Sequence, residues 1–143
     1  MKKYILFLFV SLAILSCNTR NKDKVAGTPV NQDAVIKDST TVQIIDSTYN
    51  YGKVTEGEKV EYNYRFKNTG TKPLVIVKAS SSCGCTVPEK PEKPVMPGEI
   101  GFIKVVFDSR GKVGMTHKAI YVISNANPPF GELYLTGEVV PKN

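Results

Sequence analysis

Residues 59–67 alternate without a break. Val60, Tyr62, Tyr64 and Phe66 fall on one parity, and Lys59, Glu61, Asn63, Arg65 and Lys67 fall on the other. A period of two with one apolar side predicts a half-buried antiparallel strand. The last segment, residues 132–140, repeats the pattern, with Leu133, Leu135, Gly137 and Val139 set against Glu132, Tyr134, Thr136 and Glu138. Residues 99–108 place Ile103, Val105 and Phe107 on one side, and residues 116–124 contain Ile120 and Val122. Shorter β-branched or apolar runs at 41–46, 49–54 and 74–78 complete the set. Asn68-Thr69-Gly70-Thr71, Gly111, Gly114 and Pro128-Pro129 punctuate the runs with turn residues. No window carries a helical period.

About seven short strands in about 100 residues, each with one face to bury, predict an all-β domain. The economical form is an immunoglobulin-like antiparallel two-sheet sandwich. The tyrosines and phenylalanine of the alternating strand belong to its core, with hydroxyls reaching the rim. Pro88, Pro91, Pro94 and Pro97 break the pattern between two strands. Proline cannot donate to a central ladder, so residues 88–97 read as a stiff extended crossover.

The N-terminus follows other rules. Met1-Lys2-Lys3 is basic, residues 4–15 are almost unbroken apolar sequence, and Ser16-Cys17 leads directly into the polar Asn18-Thr19-Arg20. A run of about 12 residues is too short for a membrane span, which needs roughly 20. Charge, short apolar core and small residue form a secretory signal. With cysteine at the cleavage point, the segment resembles a bacterial lipoprotein signal. That resemblance implies removal of residues 1–16 and a lipid on Cys17. Residues 17–40 are polar with no apolar period, and are expected to form a flexible tether. Its r.m.s. reach would be about 27 Å. The domain is expected to span 41–143.

Composition adds a compartment and removes some functions. The net charge of +6 falls to +4 when Lys2 and Lys3 leave with the signal. Lysines and arginines are scattered, so a solvated surface is the reading, and no nucleic-acid partner is expected of an exported chain. The membrane enters as a partner through the N-terminal lipid. Asn18 is not the aspartate associated with inner-membrane retention, and no acidic run follows Cys17. The expected location is therefore the outer membrane, with the domain facing the periplasm.

The residues between 48 and 140 also carry a recognisable order. Gly52-Lys53-Val54 precedes Glu56-Gly57-Glu58, and Phe66-Lys67-Asn68-Thr69-Gly70 precedes Pro73-Leu74-Val75-Ile76. Ser82-Cys83-Gly84-Cys85-Thr86, Pro97-Gly98-Glu99, Phe107-Asp108 and Gly137-Glu138-Val139 follow. This order resembles the domain of unknown function 1573 family of exported bacterial proteins. The resemblance implies a sandwich related to the major-sperm-protein and PapD-like superfamily. It implies no reaction.

Three cysteines are present, and with Cys17 acylated two remain, Cys83 and Cys85. One glycine separates them. In an extended strand such a pair shares a face at the upper limit of disulfide reach, and Gly84 can bend the chain to close the gap. A ring that small should be strained and oxidising. Four readings stay open: a structural disulfide, a redox-exchanging pair, a Cu(I)-binding thiolate pair, and two inert packed side chains. For copper, Met115 and His117 could assist Cys83 and Cys85, although a lone histidine at a turn is ordinarily a surface residue. There is no G-x-S-x-G, H-E-x-x-H or P-loop. The carboxylates are scattered, so no enzyme is expected. The sequence reads as a lipid-anchored envelope binding or assembly module with an envelope protein partner, acting through loops or a sheet edge. The alternative is a thiol-redox or Cu(I)-handling accessory built on Cys-Gly-Cys.

Overall fold

In the computed structural model the described residues are 38–143. The signal segment 1–16, Cys17 and nearly all of the expected tether lie outside them. Eight strands follow in order: β1 (Val42–Ile44), β2 (Thr48–Thr55), β3 (Lys59–Asn68), β4 (Ile76–Ser81), β5 (Thr86–Glu89), β6 (Ile100–Asp108), β7 (Gly114–Ser124) and β8 (Leu133–Val140). They form two four-stranded sheets, in the orders β1-β3-β6-β5 and β2-β8-β7-β4. There is no helix among the described residues. The domain is an all-β sandwich.

The core lies between the sheets and is built from the parities read in the sequence. Val60, Tyr64 and Phe66 of β3 meet Ile103, Val105 and Phe107 of β6. Facing them are Ile120 and Val122 of β7 and Leu133, Leu135 and Val139 of β8. Tyr62 is half-buried and stacks on Tyr49, with ring centroids 3.8 Å apart. Tyr64 is buried, and its hydroxyl donates to the Tyr134 carbonyl at 2.8 Å. Burial pushes its phenol well above the usual range.

Three features depart from the sequence reading. The strand count is eight, because β5 forms from Thr86 into the first two residues of the segment assigned to the crossover. Pro88 sits in β5, but β5 is an edge strand, so proline's missing N–H leaves no gap in a central ladder. The sandwich is not purely antiparallel either. β2 runs parallel to β8, from Thr48↔Tyr134 to Thr55↔Val140, with a register shift between Asn50 and Lys53. β1 belongs to the opposite sheet, so the chain crosses between sheets at residues 45–47 and enters the second one alongside its last strand. Finally, Thr40 is not tether-like. It is buried, bridges Ala126, and donates its hydroxyl to Asn68 Oδ1 at 2.9 Å.

Candidate functional site

The loop between β4 and β5 carries Cys83-Gly84-Cys85 around one end of the sandwich. The two sulfurs are bonded to each other, with Cα atoms 5.3 Å apart. Hydrogen bonds set the loop independently of that bond. Ser81 Oγ lies 2.6 Å from both the Cys83 and the Thr86 carbonyls and shares its one proton between them. Asp108 N–H donates to the Cys85 carbonyl at 2.9 Å, which ties the loop to the end of β6. Both cysteines are half-buried, and Cys85 packs against the core. Thr86 is 3 % exposed. Its hydroxyl lies 3.5 Å from Cys83 Sγ and 3.9 Å from Cys85 Sγ.

On the solvent side, Gly84 and Cys85 share a shallow basin with Asp108, Arg110 and Lys112. Arg110 is bound to Asp108, with Nη2 to Oδ2 at 2.6 Å. That guanidinium, through its hydrogen bonds, lowers the Asp108 carboxyl to about 2. The carboxylate in turn raises Arg110. Lys112 forms no ion pair among the described residues. The basin is thus cationic beside the sulfur pair.

Copper finds less support in the arrangement. The cysteines' sulfurs are spent on each other, and His117 is not gathered with them into a metal-ligand set among the described residues. His117 lies against the Tyr134 ring, 5.0 Å between centroids. Met115 is 81 % exposed and lines a different hollow, with Lys53 and Glu138. Both sit on the outward parity of β7, which the sequence had placed in a turn.

A second feature lies along β4. A groove of about 390 Å³ runs between residues 75–77 and residues 90–94 of the proline-rich crossover. β4 is an edge strand, and its ladder partner is β7 alone. Among the described residues, no backbone hydrogen bond reaches residues 77–81 from any other segment. The opposite edge of the same sheet, β2, is broken by its register shift, carries Gly52 at φ 73°, and is clipped by the Lys53–Glu138 ion pair at 2.9 Å. Charge and a bulge blunt an edge against pairing. β4 has neither the ion pair nor a positive-φ glycine. Its one shift, between Ile76 and Lys78, lies at the end beside the groove, Lys78 is its one charged residue, and residues 79–81 run on without a break.

Sequence reasoning had singled out Cys83 and Cys85 but neither the cations nor the groove. Thr86 was visible in the motif. Arg110 and Lys112 arrive from the β6–β7 turn, and only the pairing of β5 with β6 brings that turn to the cysteine loop.

A family model described as a protein of unknown function (DUF1573) matches residues 42–139. No curated protein matches the chain. Among solved structures, a protein of unknown function from Porphyromonas gingivalis W83 superposes with a TM-score of 0.60 at 14% identity. The match covers 71% of this chain and 47% of that one, so this chain spans about half its length. The ASH/PapD-like domain 7 of human CEP192 superposes with a TM-score of 0.55 at 16% identity, covering 73% of this chain and 89% of that domain. The Vibrio cholerae protease VesB matches over 76% of this chain but 34% of its own, with a TM-score of 0.52 at 12% identity. Likenesses at these identities speak for the fold.

Proposed function

The chain belongs to the DUF1573 family of proteins of unknown function, and from that premise we propose that it is a non-catalytic binding module of the bacterial cell envelope. Its lipid is on Cys17, its tether is the polar segment that follows, and its domain hangs from the outer membrane into the periplasm. The domain takes an extended segment of an envelope protein as an added strand along β4. The observation that carries this reading is the unpaired outer edge of β4 lying beside the proline-walled groove. An edge supplies main-chain hydrogen bonds to any extended chain, and a groove beside it selects side chains. The walls are apolar at Val75, Val77, Pro91 and Pro94, and Lys90, Glu92 and Lys93 also line the groove. The fitting occupant is an extended segment of an envelope protein with an apolar side chain for the groove.

The test is site-specific photocrosslinking in intact envelopes. A crosslinker at Val77 should capture one protein through one extended segment, mapped by peptide mass spectrometry, whereas a crosslinker at Lys53 on β2 should not. Val77→Lys should abolish the Val77-side contact without loss of folding. Equal capture from both edges would overturn the reading. For the anchor, intact mass of the membrane-extracted chain should begin at Cys17 with acyl mass. A chain starting elsewhere without it removes the anchor and leaves the edge reading to stand or fall alone.

A further inference from the structure

A disulfide around a single intervening residue does little as a staple. The stabilisation a crosslink provides grows with the length of the loop it closes, and this loop is the shortest kind. The cysteine loop is also held without it, by Ser81 Oγ and by the Asp108 amide. The bond can therefore open and close while the backbone keeps its course. Its surroundings match what an exchanging sulfur pair needs. A side chain built at Gly84 would meet nothing within 4 Å, so the ring is open to approach on that side. Asp108, Arg110 and Lys112 line the basin beside Cys85. Arg110 is bridged to Asp108, and Lys112 leaves the basin net positive toward an anionic nucleophile. The Thr86 hydroxyl is buried, and its only hydrogen-bond partners among the described residues are the two sulfurs. A buried hydroxyl needs a partner. This one is placed to donate to a sulfur that gains negative charge.

We propose that Cys83–Cys85 is a thiol–disulfide exchange site for the dithiol of a partner protein, with Thr86 as hydrogen-bond donor to the leaving thiolate and Arg110 and Lys112 as the cationic rim. A partner thiolate attacks Cys85 Sγ from the basin. A sulfur–sulfur bond forms to the partner, and the Cys83–Cys85 bond breaks. Cys83 leaves as a thiolate, accepts the Thr86 hydrogen bond, and takes a proton from water. The partner's second thiol, after losing its proton, attacks its own sulfur in the mixed disulfide and releases Cys85, which is then protonated. The partner dithiol loses two electrons and becomes a disulfide. The cysteine pair gains two electrons and two protons. The site lies apart from the β4 groove and does not depend on the strand-addition reading.

The experiment follows opening of the bond in the purified full chain by reduced glutathione, with alkylation and mass spectrometry as the readout. The folded wild-type chain should open without denaturant and close again on adding oxidised glutathione. Thr86→Val should slow opening about tenfold, the value of one hydrogen bond to a charged sulfur, and Thr86→Ser should restore it. Replacing Arg110 and Lys112 by glutamine should slow opening at low salt, with the gap closing as salt rises. Circular dichroism of each variant checks the fold. A bond that glutathione opens only after urea denaturation overturns the proposal. So does a folded Thr86→Val chain that opens at the wild-type rate.

Discussion

The two ends of the sandwich solve the same problem in opposite ways. β3 and β6 run between them. At one end Asn68 terminates β3, fully buried, and its side chain makes four hydrogen bonds. It accepts from Thr40 Oγ1 and the Gly70 amide, and donates to the Lys72 and Val95 carbonyls at 2.7 and 2.8 Å. Asn125, 6 % exposed, does likewise, accepting from the Val75 amide and donating to the Asp38 and Pro73 carbonyls. At the other end, beyond Lys59 and Asp108, buried Ser109 ties the β2–β3 turn by accepting from the Gly57 amide and bonding the Thr55 and Glu58 carbonyls. The groups around the cysteine loop, however, are the exposed Asp108–Arg110 ion pair and a small covalent ring. A buried polar group with every bond made is costly to disturb, whereas solvated pairs contribute little. The asparagine end fixes where four loops go. The cysteine end is free to carry chemistry.

The largest expected effect sits at the first end. Asn68→Ala leaves the Thr40 hydroxyl, the Gly70 amide and the Lys72 carbonyl without their partner, while the Val95 carbonyl keeps the Leu74 amide. It should cost about 3 kcal/mol, measured by urea unfolding. A loss below about 1 kcal/mol would break the comparison. Asn125→Ala should come next, at about 2 kcal/mol, because its partners are only partly buried.

Neither asparagine's role was legible in the sequence, and the reason is physical. Strand parity is a local property, so the core of β3, β6 and β8 could be read from alternation alone. Asn68 was read as a turn residue, which it also is, since it accepts from the Gly70 amide two residues on. Its bonds to Thr40 and Val95 join residues 28 and 27 positions away, and such spacing leaves no periodic trace. The same limit hid Arg110 beside Cys85. It hid the parallel β2–β8 pair as well, because parity gives a strand's faces but not its neighbours. β5 was missed for another reason. Its proline excludes a central strand, and sequence alone does not show which strand lies at an edge, where proline is tolerated.

The cysteine end should yield less stability when changed. Cys83→Ser with Cys85→Ser should cost under about 2 kcal/mol, since a three-residue ring restricts the unfolded chain little. The double variant should unfold in one transition close to the wild type. A loss equal to that of Asn68→Ala would make the ring a structural staple and erase the contrast between the ends.

The smallest effect concerns Asp108. Its carboxyl is held at about 2, chiefly by the Arg110 side-chain hydrogen bonds. A carboxyl lowered on folding stabilises the fold above its ordinary range near pH 4. That contribution fades as pH falls through the window between about 4 and about 2. The pair is solvated, so the change should be slight, and salt should shrink it further. Asp108→Asn should therefore flatten the stability-against-pH curve of the wild type only in that acid window. The same substitution releases Arg110 toward the basin and removes an anion beside Cys85. Thiol attack on the Cys83–Cys85 bond should then quicken at neutral pH while the melting temperature barely moves. If stability falls sharply and exchange does not change, Asp108 acts by tying the β6–β7 turn, and the cysteine end is as structural as the asparagine end.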